Sequence, residues 1–234
     1  MAQAAGADLP LMAAWLAARS LSRGLPAPVP DRGGIRVDTG HADERRRYVF
    51  AAPCEGLREL GRELDEPFVP LKLCCPAEEL LALLPRRWTI SSNSWVMGRG
   101  GFPGAPPASA MAADRDGEPG AGLPPGYTLI VEGQAPVWFA RIVAEDGMLA
   151  ASGYAAQAAS GLVAESEAVF IYDRIKVDPA HGRRGLGRAL MAALALRRDP
   201  ALREVLTATA AGRALYLQLG WRDLAPYSTA VIVA

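Results

Sequence analysis

Residues Phe170–Gly187 read FIYDRIKVDPAHGRRGLG and run straight into RALMAALALRR, Arg188–Arg198. A strand rich in β-branched and aromatic residues is predicted over Val169–Val177 and stops at Pro179; a basic, glycine-rich turn then opens a helix predicted over Gly185–Arg197. The first amides of such a helix have no partner inside it, and the helix dipole stands behind them, so the turn is a ready site for phosphate or pyrophosphate. Gly185 and Gly187 let the backbone approach the anion closely, while Arg183, Arg184 and Arg188 add charge-assisted contacts. Spacing narrows the ligand. A dinucleotide fingerprint starting at Gly185 needs its third glycine where Leu190 stands, and the Gly-Lys-Ser/Thr of a P-loop occurs nowhere in the chain.

Downstream of that helix the pattern predicts a strand over Glu204–Thr207, a helix over Arg213–Leu219 and one or two closing strands between Trp221 and Val233. Upstream, Tyr127–Val131, Val137–Val143 and Met148–Ala155 read as strands, the last two joined by Glu145-Asp146-Gly147. Gly98–Gly126 is rich in glycine, proline and alanine and reads as a linker or long loop. In the first hundred residues a helix is predicted over residues 8–22, with Asp8 as N-cap and a stripe of Leu11, Trp15, Leu16 and Ala18. Strands over Ile35–Val37 and Arg47–Phe50 follow, then a helix over Glu55–Leu64, an extended Pro67–Leu73, a helix over Ala77–Leu84, and extended pieces at Trp88–Ile90 and Trp95–Met97. The alternation between Arg47 and Met97 repeats that between Val169 and Val233, either as a duplicated half-domain or as coincidence in a common α/β order. The chain therefore divides into an N-terminal α/β domain (1–100), a linker (101–126) and a C-terminal domain (127–234), with a mixed α/β sheet as the fold class.

The run VDPAHGRRGLGRAL resembles the acetyl-CoA motif of the GNAT superfamily of N-acetyltransferases, in which a strand ending in V-x-P is followed by Q/R-x-x-G-x-G/A. A second run, GRALYLQLGW at Gly212–Trp221, resembles the later family motif that places a tyrosine ahead of Gly-Phe. One position departs: Gly182 stands where the family has Gln or Arg, with arginine at 183. The resemblance covers residues 127–234, not the first half, and implies a GNAT fold there; if the alternation in the first half is a true repeat, the N-terminal domain is a degenerate relative without the cofactor site. It implies that the amides of Gly182, Arg183, Arg184, Gly185, Leu186, Gly187 and Arg188 hold the pyrophosphate of acetyl-CoA. By the same resemblance Ile175, Lys176 and Val177 offer backbone groups to the pantetheine arm, and Tyr216 protonates the departing thiolate. Asp173 and Glu167 are candidates for the base that deprotonates the acceptor amine, directly or through water, with a surface or salt-bridged carboxylate as the alternative. His181 reads as a phosphate or loop contact. The family has two helices between its first two strands, whereas here only Glu132–Pro136 intervene, so residues 1–100 are expected to wall the acceptor site.

Bulk properties bound the rest. Lys plus Arg equals Asp plus Glu at 25 each, which gives no basic excess for nucleic acid or an anionic membrane and argues mildly against a polyanionic acceptor. The apolar run Leu11–Ala18 is too short to span a bilayer, and a cytoplasmic location is expected. Three cysteines, with Cys74 and Cys75 adjacent, suit small buried hydrophobes in a reducing compartment, and no metal site is expected. The acceptor, a small-molecule or protein amine, is open, as is the choice between monomer and homodimer. Two rival classes are a sensor that binds acyl-CoA without turnover and an interaction module.

Overall fold

The computed structural model describes residues 7–100, 122–159 and 168–233. In chain order these residues form α1 (Leu9–Arg23), β1 (Val29–Asp31), β2 (Gly34–Asp38), β3 (Arg46–Phe50), α2 (Glu55–Glu63), β4 (Leu71–Leu73), α3 (Ala77–Leu83) and β5 (Trp88–Arg99). After residues 101–121 come β6 (Tyr127–Gln134), β7 (Val137–Ala144), β8 (Leu149–Ala159), β9 (Ala168–Val177), α4 (Leu186–Ala195), β10 (Arg203–Ala208), α5 (Ala210–Gln218) and β11 (Arg222–Ile232). All the strands join one mixed sheet in the order β1-β2-β3-β4-β11-β5-β10-β9-β8-β7-β6.

That order contains an exchange. In the first half β2 and β3 are antiparallel and β3 and β4 parallel; in the second β8 and β9 are antiparallel and β9 and β10 parallel. A helix connects each parallel pair and another leads to the last strand, but the last strands cross over. β5, from the first half, lies antiparallel to β10, and β11, from the second, lies antiparallel to β4, while β5 and β11 pair with each other in the middle. The segment expected to split at Ser91–Ser94 is thus one continuous strand. Its polar residues read as a break, yet a strand flanked on both sides keeps its ladder, and Ser94 Oγ donates to the Tyr227 carbonyl at 2.9 Å. The short β1 also escaped the pattern, because Pro30 argues against a strand except at a sheet edge, which is where it sits.

Helix α1 starts where Asp8 accepts a bond from the Leu11 amide at 2.9 Å and stops at left-handed Gly24. A single apolar stripe was expected, but Met12, Ala13 and Ala14 are buried as well as Leu11, Trp15 and Leu16. The reason is tertiary. Ile35, Val37 and Val49 from one arm of the sheet and Ala156, Val169 and Ile171 from the other all join its cluster, so the sheet curls around the helix. On the opposite face two outer cores form, one with Leu57 of α2 and Leu80 of α3, the other under α4 with Tyr216 of α5. Among the described residues no helix is long and apolar enough to cross a membrane.

Candidate active site

Parallel strands β9 and β10 are paired only at Val169, Phe170 and Ile171, opposite Arg203, Glu204 and Val205. Beyond that point β9 stays with β8 and β10 stays with β5, so the two part and leave one backbone edge of Tyr172–Val177 without a strand partner among the described residues. A bulge marks the parting. The β8–β9 register shifts between Ser152 and Tyr154, leaving Gly153 opposite Arg174 and Ile175, and Arg174 is left-handed at φ 54°. A Cβ at 153 would lie 2.3 Å from Ile175 Cδ1 and 3.0 Å from Leu190 Cδ2, so any larger residue there requires the Ile175 side chain to move.

At the foot of this cleft lies a buried ionic knot. Glu204, 2% exposed, receives two bonds from Arg99 of β5 at 2.7 and 2.8 Å and one from the Tyr172 hydroxyl at 2.5 Å, with Arg198 Nε at 3.6 Å. Burial, then the neighbouring Glu204, hold the Tyr172 hydroxyl well above the ordinary phenol range. The first half of the chain therefore fixes the point at which the second half opens.

At the other end of β9, Asp178 caps a short 3-10 turn, Pro179–His181, by accepting from the Ala180 amide at 2.8 Å. The chain then turns through left-handed Arg183 (φ 61°) and Gly185 (φ 78°), which flank Arg184 in the alternation from which anion-binding nests are made. The amide of Gly182 is used internally, on the Pro179 carbonyl, and the first helical bond is Ala189 to Gly185. The amides of residues 183–188 between them have no partner among the described residues. The turn sits on the strand end, since a Cβ at Gly187 would lie 3.4 Å from Val177 Cγ2, while the space around Gly185 is open. Arg183 and Arg188 are exposed; Arg184 is tethered to the Tyr127 hydroxyl at 2.9 Å, which also meets His181 Nδ1 at 2.8 Å.

Tyr216 projects from α5 into the same outer core as Phe170 and Tyr172, against which Ile175 and Val177 also pack. Its ring lies 5.9 Å from Trp221, and its hydroxyl makes no hydrogen bond among the described residues. Burial raises its pKa, so the phenol keeps its proton at neutral pH.

Residues 134–223 match the family model of the acetyltransferase (GNAT) domain. Those residues are a GNAT domain by this match. The match starts at the end of β6 and ends at the start of β11, leaving the first half outside it. Among solved structures, a conserved protein of unassigned function from Staphylococcus epidermidis ATCC 12228 is 10% identical with a TM-score of 0.52, over 88% of this chain and 93% of that one. A GCN5-related N-acetyltransferase from Sphaerobacter thermophilus is 14% identical with a TM-score of 0.50, over 85% of this chain and 76% of that one. These likenesses speak for the fold. Comparison with curated proteins gives no match.

In this GNAT domain the turn, Ile175–Val177 and Tyr216 lie on or beside the cleft, with Lys176 exposed on its edge. Asp173 does not join them. Its side chain is on the α1 face, 8% exposed, where Arg23 grips both oxygens at 2.7 and 2.8 Å, Ser22 donates at 3.1 Å and Arg19 stands 3.6 Å away. Burial alone would raise its pKa, but the bond from Arg23 and the charges of Arg19 and Arg23 hold it below the usual carboxylate range. Such a carboxylate anchors a helix well and accepts a proton poorly. Glu167 lies outside the described residues. The sequence reading missed Gly153, although an isolated glycine within a strand is a signal for a bulge. It also missed Tyr127 and the Arg99–Glu204 pair, whose partners are distant in sequence and unmarked by any motif. Among the described residues no three His, Cys, Asp or Glu groups are gathered as a metal site would require.

Proposed function

We infer that the protein is an acetyl-CoA-dependent N-acyltransferase acting on a primary amine. The observation that carries this reading is the conjunction of an opened β9 edge with unpaired amides at its end: a hydrogen-bonding strand edge and an anion cradle, in line, suit a pantetheine arm and a pyrophosphate. The amides of residues 183–188 bind the phosphates, and Arg183 and Arg188 add charge. The edge of Ile175–Val177 orients the arm. Acetyl-CoA supplies the acyl thioester. Backbone N–H groups near Val177 steady the oxygen of its carbonyl, and Tyr216, kept protonated by burial, gives its proton to the departing sulfur. The N-terminal half closes the α1 face, where the family's two helices between the first strands are replaced by a tight β6–β7 turn.

The test is a titration of the full chain with acetyl-CoA, followed by unfolding temperature, together with an amine screen for thiol release. Acetyl-CoA at a hundred times its dissociation constant should stabilise the fold by about 2.7 kcal/mol through mass action. A shift with no thiol release from any amine would point to a sensor; no shift would remove the reading altogether.

A further inference from the structure

The α1 face carries a second polar cluster that the acyl-transfer chemistry does not use. On strand β3, Arg47 and Val49 share this face; Lys72 of β4 lies beside Val49, and Thr229 of β11 beside Lys72, with Tyr227 two residues earlier on the same side. Lys72 therefore sits between Arg47 and Tyr227, and α1 lies over this surface, bringing Arg19 down onto the ring of Trp15, which in turn meets Tyr227 edge-on at 5.8 Å. Glu44 completes the set, with an oxygen 2.5 Å from Arg47 Nη2.

Four of these groups have buried polar atoms without a hydrogen bond: Arg19 Nε, which stands 3.6 Å from Asp173, Arg47 Nε, the Tyr227 hydroxyl and, as an acceptor, Glu44 Oε1, which faces Arg47 Nη2. Arg47 is 5% and Tyr227 4% exposed. Native interiors pair the large majority of such atoms, so three donors gathered on one face, with one carboxylate oxygen among them, call for a partner. Its charge follows from the set. Five basic groups, Arg19, Arg23, Arg47, Lys72 and Arg174, face the two carboxylates Asp173 and Glu44, and Arg23 and Arg174 already stand against Asp173. The surplus is felt at Lys72, whose pKa is pulled to about 7 by burial first and then by Arg19, Arg47 and Arg23, with only Glu44 opposing. The place of the cluster matters as much. Arg19 touches Asp173, two residues beyond the point where β9 leaves β10, so the cluster borders the cleft from the face opposite Tyr216.

We propose that Arg19, Arg47 and Tyr227 form a buried oxyanion subsite, and that the acceptor amine carries a carboxylate or phosphate that docks there. The identity of the acceptor rests on the acetyltransferase reading; the subsite does not. An amine held by its own anionic group would present its nitrogen to the cleft, and a neutral amine would leave the orphaned donors unmet.

Two measurements on the full chain separate the claims. In the first, acetate and inorganic phosphate are titrated in thermal unfolding of wild type, Arg47→Met and Tyr227→Phe, each with saturating coenzyme A present to occupy the 183–188 turn. Anion stabilisation should be present in wild type, lost in Arg47→Met and weakened in Tyr227→Phe. In the second, amino carboxylates and amino phosphates are compared with their amides and dephosphorylated forms for thiol release. The charged member of a pair should win by at least about ten-fold in kcat/KM, and Arg47→Met should erase that preference through KM while acetyl-CoA affinity is unchanged. The two charged series tell carboxylate from phosphate. Wild-type anion stabilisation persisting in Arg47→Met, or a neutral amine used as well as its charged counterpart, overturns the proposal. Should Arg47→Met fail to fold, Tyr227→Phe decides, since it removes one hydroxyl and no volume. If acetyl-CoA neither binds nor reacts, the enzymatic reading falls and the anion titration alone judges the subsite.

Discussion

Asp173→Asn distinguishes an anchor from a base. The carboxylate is 8% exposed and holds Arg23 through two short bonds, with Ser22 at 3.1 Å and Arg19 at 3.6 Å. Asparagine keeps the volume and some acceptor capacity but removes the charge, leaving Arg19, Arg23 and Arg174 facing one another. Breaking a buried ion pair costs about 3–5 kcal/mol, and the low end, about 3 kcal/mol, applies because Arg23 and Arg19 retain 24% and 16% of their side-chain exposure. With a urea m-value of about 2 kcal/mol per molar, the midpoint should fall by about 1.5 M at unchanged m. The pH dependence has a definite sign. Because the folded pKa is depressed, the stabilisation is complete above the unfolded value of about 4 and is lost as pH falls through the folded value, so the gap between wild type and variant should close only in acid. Urea unfolding at pH 7 and at pH 3 measures both effects. A variant with the wild-type midpoint at pH 7 and a rate reduced by orders of magnitude would refute the anchor and restore Asp173 as the base.

Tyr216→Phe should lower kcat by about 10²–10⁴ while leaving the acetyl-CoA dissociation constant within two-fold, roughly the behaviour of a lost general acid, as read by thiol release beside calorimetric binding. Gly153→Ala places a methyl 2.3 Å from Ile175 Cδ1 and 3.0 Å from Leu190 Cδ2, so unfolding in urea should show a loss of about 1–3 kcal/mol, with weaker acetyl-CoA binding because Ile175 must move. Arg99→Met leaves Glu204 buried with Tyr172 and a more distant Arg198, and should cost about 3–5 kcal/mol; Arg99→Lys, which keeps the charge but not the fork, should recover part of it.

The second half of the fold was legible because its signals are local. A strand, a glycine turn and a helix announce themselves through residues that touch within one segment, and the turn's unpaired amides follow from helix geometry alone, without knowledge of the rest. What was not legible lies between segments. Nothing in WTISSNSWVMGR says that this strand runs unbroken between β10 and β11, because its serines are supported by strands more than a hundred residues away. Asp173 illustrates the same limit: alternation along β9 puts it on the face opposite Phe170 and Tyr172, but only the position of α1 shows that this face holds three arginines' worth of positive charge at its end. Equal numbers of acidic and basic residues likewise gave no hint of a local cationic surplus, since net charge is a sum over the surface and a subsite is not.

The exchange of last strands gives the first half a role that a detachable wall would not have. Strand β10 has β9 on one side only over its first residues, and its other edge is covered along its length by β5. Without β5, β10 and β11 would both present long unpaired edges in the middle of the sheet, Glu204 would lose Arg99, and α1, which fills the curl of the sheet, would be absent. Removal of residues 1–100 therefore attacks the cleft at its hinge. A fragment of residues 127–234 should aggregate or refuse acetyl-CoA even though every residue of the phosphate turn is present, and adding residues 1–100 as a separate chain should restore binding by strand pairing in trans. A soluble fragment that binds acetyl-CoA with the affinity of the full chain would show that β5 merely borders the site, and that the point where β9 and β10 part is set within the second half alone.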